Sequence, residues 1–573
     1  MTQTLQCDVL IIGSGASGLM AALAAHAEGL RVIVIEKEPL IGGTSARSGG
    51  WLWVPGNPIS VHAGIQDDPA EARRYIRAET GARCDAEKVE ALLAHGPEMV
   101  AFCEARTMVR FSAAPAFPDY HMDQPGAALG RPICAQPFDA RPFGTLARRL
   151  QKPLRAMTFL GMAISSGGEL GHFFNATRSL RSLDFVIRRL ARHGFDLLRF
   201  GQSMRLANGN ALVGRLLASV EAANIPVLVD TAATDIVFTG GRVSGASVSR
   251  QGAPVTIETS RGIVLATGGF QQNPGMRKAR LADAAGAEPT PLSPAGNTGD
   301  GLAMGLGAGG QVHTDLTQPA AWAPVSEVCW PDGTKGAFAH IIDRAKPGVV
   351  AVLRNGRRFV DESCSYHDFV VAMRKAAQEN QSAAEAFLVC DHATLRKYGL
   401  GFVKPFPIPL RPHLRSGYLL RGRTLRELAG RAGIDAEVLA ATIDTFNPAA
   451  AQGMDPQFGK GQSIYGRYMG DQNAAPNLCT APLLEPPFYA VRVTPGVLTT
   501  YVGLRTDASA RVLDPGGQAI PGLYAVGSDA ASLGGGGYLG GGANLGPGMT
   551  FGYIAGRALA SEAGAGPAAG SQA

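Results

Sequence analysis

Residues 7–36 read CDVLIIGSGASGLMAALAAHAEGLRVIVIE, and this stretch decides the fold. CDVLII (7–12) is a short apolar run with β-branched residues, the composition of a buried strand. GSGASG (13–18) follows, then the helix-like LMAALAAHAEG, then a second buried-strand pattern from Arg31 to Ile35, ending in Glu36. Strand, glycine turn, helix, strand and acid together make a βαβ dinucleotide unit. Gly13 permits the tight turn, Gly15 lets backbone approach a pyrophosphate, and Gly18 allows close helix–strand packing. Ser14, Ala16 and Ser17 complete the turn, where a helix N-terminus offers N–H groups to phosphate. Glu36, 18 residues beyond Gly18, has the spacing of a ribose-hydroxyl acceptor, with Lys37 beside it.

The next residues distinguish FAD from a nicotinamide cofactor. IGGTSARSGG (41–50) places Gly42, Gly43, Thr44, Ser45, Ser48, Gly49 and Gly50 directly after the ribose acid. Their backbone N–H groups and hydroxyls suit a second pass over pyrophosphate and contact with a flavin ring. Glycine as a whole is in excess, 74 of 573 residues. Nine glycines fall in 534–548, a second place where backbone must lie close to a ligand.

Composition bounds the rest. Hydrophobic residues are 46% and charged residues 17%, which excludes a disordered chain. The net charge of +6 comes with no nucleic-acid motif, so no nucleic-acid partner is expected. The eight cysteines have no C-x-x-C spacing, so reduced thiols are expected and no metal site. The N-terminus lacks a basic region before its apolar run, and no ~20-residue apolar stretch occurs, so a cytoplasmic protein is expected. Residues 141–200 hold eleven Lys and Arg against three Asp and Glu, a net of +8. Leu183, Val186, Ile187, Leu190, Leu197 and Leu198 recur there at helical spacing, with Arg181, Arg188, Arg189, Arg192 and Arg199 on other faces. The plainer expectation is a core-packing helix with a solvated basic face; the alternative is peripheral membrane contact through 141–200.

The fold class expected is α/β: a Rossmann-like FAD-binding domain, split in sequence, with an inserted α+β catalytic domain. Residues 1–275 form its first part, 276–486 the catalytic domain, 487–562 the second part of the FAD domain, and 563–573 a flexible tail. The strand patterns at 226–238, 261–270 and 522–530 and the helix-like 549–562 support the split.

The chain resembles the 3-ketosteroid Δ1-dehydrogenases of the fumarate reductase/succinate dehydrogenase flavoprotein superfamily. The resemblance is carried by GSGASGLMAAL (13–23), EKEPLIGGTSARSGGWLWVPGNP (36–58), LATGGF (265–270), NTGDGLAMGLGAG (297–309), NGRRFVDESCSY (355–366), PPFYAV (486–491) and YLGGGANLGPGMTFGYIA (538–555). The Trp/Pro stretch and the Tyr-x-Gly-x-Gly tract are the parts specific to the ketosteroid branch. Fumarate reductases place their catalytic arginine a few residues after R-F-x-x-E. Here Arg358, Phe359 and Glu362 are followed by Tyr366. Their substrate histidine is absent from LTTYVGLRTD, and GANLG (542–546) stands for their GANRL. Without those cations a dianion should bind poorly and a neutral carbonyl is favoured. Loop 41–50 holds no histidine, so the FAD is expected to be non-covalent.

The resemblance implies an oxyanion hole made by the Tyr538 hydroxyl and the Gly542 N–H, which polarises a ring ketone. It implies Tyr366 as the base that takes the proton from carbon 2, assisted by Tyr120, while hydride leaves carbon 1 for flavin N5. Ala233, Thr267, Gly268, Asp300, Gly527, Asn544 and Leu545 are further cofactor positions on this pattern. It implies a 3-oxosteroid substrate in steroid degradation and a quinone-like electron acceptor. A ketosteroid 4-dehydrogenase, or an enone or fumarate-reductase-like flavoenzyme, is the alternative. The branch's familiar form has prolines where Leu539 and Gly541 stand. Tyr468, Tyr489 and Tyr501 are candidate pocket walls. His121 and His367 read as hydrogen-bonded neighbours rather than catalysts.

Overall fold

The computed structural model describes residues 3–165, 168–177, 179–283 and 285–562. The small-residue tail 563–573 lies outside the described residues. Strand β1 (Gln3–Ile12), helix α1 (Ala16–Ala27) and strand β2 (Val32–Ile35) form the unit expected from residues 7–36. β1 and β2 pair in parallel, Val9 opposite Val32 through Ile12 opposite Ile35. The paired segments, 9–12 and 32–35, are wholly apolar because both faces of this part of the sheet are covered. The sheet continues in parallel through β3 (Val227–Leu228) beside β2 and β4 (Ala253–Leu265) beside β1. β5 (Ala519–Ala525), far along the chain, pairs in parallel with β4. Gly13 takes φ +113°, and a Cβ there would meet the Ala266 carbonyl oxygen at 2.2 Å, so no other residue fits the turn.

The main path of a second sheet runs Lys335–Ala339, Ala320–Cys329, Phe488–Thr500, Ala386–Cys390 and Val349–Val352, each neighbouring pair antiparallel. Of helices α2 (Pro69–Thr80), α3 (Leu180–Phe200), α4 (Tyr366–Glu379) and α5 (Leu545–Ser561), which lie outside the βαβ unit, α2, α4 and α5 position the site, while α3 lies apart from it. Helix α4 begins where it does because the Ser365 hydroxyl accepts the Asp368 N–H. It buries Phe369, Val370 and Met373 in the core that holds Trp322 and Leu388 of the second sheet. Each such side chain contributes about 1.5–3 kcal/mol on burial. Helix α5 crosses α1 closely, since a Cβ on Gly552 or Gly556 would meet the Ser17 or Ala21 carbonyl oxygen within 2.5 Å.

Helix α3 departs from the plainer expectation. Apart from Phe200 at its end, its apolar stripe is turned to solvent: Leu180 is 86% exposed, Ile187 56% and Leu198 92%. Ser182, Arg189, His193 and Asp196 are the buried ones. Ion pairs with other segments draw the polar side inward. Arg189 pairs with Glu169, which also takes Arg205, and Arg141 pairs with Asp196. Among the described residues no helix is long and apolar enough to cross a membrane. All eight cysteines are unpaired.

Candidate active site

The turn after β1 is a preformed cradle. Glu36 accepts hydrogen bonds from the Ser14 N–H (3.1 Å) and hydroxyl (2.5 Å), and its other oxygen accepts the Glu38 N–H. Burial pushes the Glu36 carboxyl up from its ordinary range. The Gly42 N–H donates to Ser14 Oγ, and the Ala16 N–H to Ser45 Oγ, so the glycine-rich loop 41–50 lies against the turn. Ser48 Oγ holds the Gly50 N–H, and Ser48 O takes the Gly209 N–H. Gly43 and Gly49 sit in the same loop. A Cβ on Gly15 would have Ser45 Oγ as its nearest neighbour, at 3.5 Å, so the turn is open toward that loop.

The other cofactor positions from the sequence gather at neighbouring strand ends. Thr267 and Gly268 follow β4, Gly527 follows β5, and Asn544 and Leu545 begin α5. Gly548, one turn into α5, approaches Ser17 closely. Ala233 lies on strand Thr231–Thr239, whose first N–H donates to Glu36 O. Lys37 and Asp300 face each other at 2.6 Å. Asp529 is a member that the sequence reading missed. It is fully buried and accepts both the Thr267 N–H and its hydroxyl, with burial pushing it up to about 6. The GSD that follows β5 was its only local signal.

Thr44 Oγ1, Arg47 Nε and Thr500 Oγ1 are buried without partners. Unmet donors around a phosphate turn fit a dinucleotide with a flavin ring, since such groups are costly unless a ligand satisfies them. The residues present therefore fit FAD: the 13–18 turn for pyrophosphate, Glu36 for ribose, loop 41–50 and the α5 N-terminus for the flavin end.

Against this cradle stands a cluster of tyrosines from distant segments. Tyr120 Oη donates to Tyr366 Oη at 3.0 Å. The Tyr120 and Tyr538 rings stack with centroids 5.4 Å apart, and Tyr366 meets Tyr538 edge-on at 5.3 Å. Phe117, Tyr465, Tyr501, Ala321 and Ala323 complete the buried cluster, with Trp51, Tyr468 and Leu498 at its edge. Burial pushes the Tyr366 and Tyr120 phenols well above their ordinary range. The Tyr538 phenol also rises through burial, opposed by hydrogen bonding to Tyr366 and Asn544. The Tyr501 hydroxyl is buried without a partner. Tyr489 stands apart, its hydroxyl at His392 Nδ1, so it does not line this pocket.

Gly542 has φ +94°, and a Cβ there would meet the Trp51 carbonyl carbon at 2.4 Å. Its carbonyl accepts the Trp53 and Gly546 N–H groups, while its own N–H has no partner among the described residues. The Tyr120 loop is pinned from both ends. Tyr120 N–H donates to Leu539 O, and Tyr75 Oη donates to the same oxygen at 2.7 Å. Asp119 accepts from Trp53 Nε1 and Arg131 Nη1, and burial pushes it up to about 6.

His367 is buried and held down to about 4 by that burial, so it is neutral; its Nδ1 accepts the Trp322 N–H. Arg358 and Glu362 turn away from the tyrosines. They form a buried network with Asp455 and Lys460, with Arg358–Glu362 and Arg358–Asp455 contacts of 2.8 Å.

The FAD binding domain family matches residues 8–545. The chain is 38% identical to 4-oxocyclohex-2-ene-1-carboxylate 5-dehydrogenase of Sinomonas cyclohexanicum, over 98% of this chain and 95% of that one. It is 34% identical to 3-oxosteroid 1-dehydrogenase of Mycobacterium tuberculosis, over 97% and 99%. It superposes with a TM-score of 0.89 on the 3-ketosteroid Δ1-dehydrogenase of Sterolibacterium denitrificans in complex with 1,4-androstadiene-3,17-dione, at 33% identity and 97% and 99% coverage.

Proposed function

Since the chain belongs to the FAD binding domain family and is an FAD-dependent dehydrogenase of the ketosteroid dehydrogenase type, we propose that it introduces the 1,2 double bond into 3-oxosteroids. The observation that carries this is the Tyr120–Tyr366–Tyr538 cluster beside the unpartnered Gly542 N–H. The Tyr538 hydroxyl and the Gly542 N–H hold the ring ketone oxygen, where charge grows as the ketone enolises. Tyr366 takes the proton from carbon 2. The O–H of Tyr120 donates to Tyr366 Oη and favours the phenolate that burial disfavours. FAD, when held by the 13–18 turn, Glu36 and loop 41–50, would supply the acceptor for the hydride from carbon 1. Hydrophobic walls from Phe117, Leu498 and Trp51 exclude water and suit a flat apolar substrate.

The first relative acts on a carboxylated ring ketone. The apolar walls of the cluster support the neutral steroid. Turnover of androst-4-ene-3,17-dione against 4-oxocyclohex-2-ene-1-carboxylate, with an artificial acceptor, tests the choice. Higher kcat/KM for the keto acid would overturn it. A quinone-like acceptor reoxidises the flavin in this reading.

Two further parts belong to this proposal. The cofactor domain is split around an inserted catalytic domain; the parallel pairing of β5 with β4 supports it. Strand Phe488–Thr500 runs in the second sheet, which supports a return crossing near residue 500 rather than at 487. The exposed face of α3 rests on an anionic membrane surface, supported by Leu180, Ile187 and Leu198 flanked by Arg181, Arg188, Arg192 and Arg199.

A further inference from the structure

His121 follows the tyrosine that contacts Tyr366, and its ring joins two other segments. Nδ1 lies 2.8 Å from Glu79 Oε2, on α2, and Nε2 lies 2.8 Å from Asp368 Oδ2, on α4. A neutral imidazole has one donor and would turn a lone pair toward one of these carboxylates. With acceptors at both nitrogens, the ring is an imidazolium. Although burial opposes the charge, Asp368 and Glu79 push the ring up to about 10. Asp368 is itself held, accepting the Ser365 hydroxyl at 2.6 Å in the first turn of the helix that opens with Tyr366. The His121 N–H approaches Tyr75 Oη, whose hydroxyl donates to Leu539 O, next to Tyr538. The groups facing the ring and its backbone are therefore Glu79 and Tyr75 of α2 and Asp368 of α4, with neutral His367 beside Asp368.

We propose that His121 is a positioning residue: clamped between Glu79 and Asp368, it fixes the Tyr120–Tyr366 hydrogen bond and offsets the carboxylate charge beside the tyrosines. The inference rests on Tyr366 being the base. The geometry gives the clamp its reach, because residue 121 cannot move relative to residue 368 without moving Tyr120 relative to Tyr366. The charge matters because Glu79, Asp368 and the imidazolium together carry one negative charge. Without the imidazolium they carry two, and a phenolate forming nearby is disfavoured. Asp368 already acts in that direction on Tyr501 and Tyr465.

The test is the pH profile of kcat/KM in the FAD-loaded enzyme. His121→Gln should lower kcat/KM about tenfold near neutral pH and move the rising limb up by about one pH unit, with KM changed less than twofold. Glu79→Gln removes a negative charge and should move the limb down. His121→Gln/Asp368→Asn restores the net charge and should return the limb toward the wild-type position. If His121→Gln does not yield folded, flavin-bound protein, the Glu79→Gln shift decides alone. A His121→Gln profile that overlays the wild type, or a Glu79→Gln limb that moves up or stays, overturns the proposal. Tyr366→Phe separates the two levels. If it keeps wild-type turnover, the base assignment fails and the clamp with it. If it is inactive while the limb ignores His121 and Glu79, the clamp alone fails.

Discussion

Tyr120 Oη donates to Tyr366 Oη across 3.0 Å, although 246 residues separate them in sequence. Burial raises both phenols, so the Tyr366 phenolate that takes the carbon-2 proton is costly to form. A group whose pKa is raised acts as a base above that pKa and is lost as pH falls through it. kcat/KM should therefore rise with pH through the alkaline range. Tyr120→Phe should move that rise further up. Tyr366→Phe should cost about 100-fold or more in the reductive half-reaction. Its flavin spectrum should be unchanged, as should steroid binding followed by spectral perturbation.

Gly542→Ala should fail for two separable reasons. The residue sits at φ +94°, and the new methyl would meet the Trp51 backbone. Moving that backbone shifts the proposed oxyanion donor. Catalysis should fall by about 100-fold or more, with thermal stability also reduced. Flavin reduction rates and melting curves on the same sample measure both.

The network of Arg358, Glu362, Asp455 and Lys460 should govern acid stability. Glu362 is fully buried; burial opposes its charge, but Arg358 and Lys460 hold its carboxyl below the ordinary 4.5. A depressed carboxylate gives stability that is present above its unfolded pKa and lost as pH falls through its folded one. The wild type should therefore lose melting temperature steeply below about pH 4.5. Glu362→Gln should cost about 3–5 kcal/mol at neutral pH, because it leaves Arg358 and Lys460 short of charge. Its remaining acid loss should be shallower than that of the wild type.

Helix α3 should carry the protein to anionic vesicles. Flotation with phosphatidylglycerol liposomes should recover the wild type at low salt. Ile187→Glu/Leu198→Glu should reduce recovery, and activity on soluble steroid should persist. Equal flotation of both proteins would return this face to plain solvent exposure.

The cofactor end was legible because its signals are local. A strand, a glycine turn, a helix and an acid occur within thirty residues, and Glu36 lies against Ser14 of the turn. The tyrosines were legible only through resemblance. No pattern around residue 120, 366 or 538 says that the three share a pocket. His121 read as a bystander because its partners, Glu79 and Asp368, lie on helices 42 residues before and 247 residues after it. Helix α3 misled for a similar reason. Its periodicity gave an apolar face correctly, but the partners that hold the opposite face inward lie outside the helix, at Glu169 and Arg141. Arg358 and Glu362, which the superfamily pattern sets near catalysis, are drawn away by Asp455 and Lys460, a hundred residues on.

The central claim is that this tyrosine cluster desaturates a 3-oxosteroid at carbons 1 and 2. It is tested most directly by mixing the oxidised, FAD-loaded protein anaerobically with androst-4-ene-3,17-dione and following the flavin absorbance. The account predicts rapid bleaching, with one 1,4-diene-3-one formed per flavin reduced. A flavin that stays oxidised with this steroid and with a long-side-chain 3-oxosteroid, yet is bleached by 4-oxocyclohex-2-ene-1-carboxylate, would contradict it.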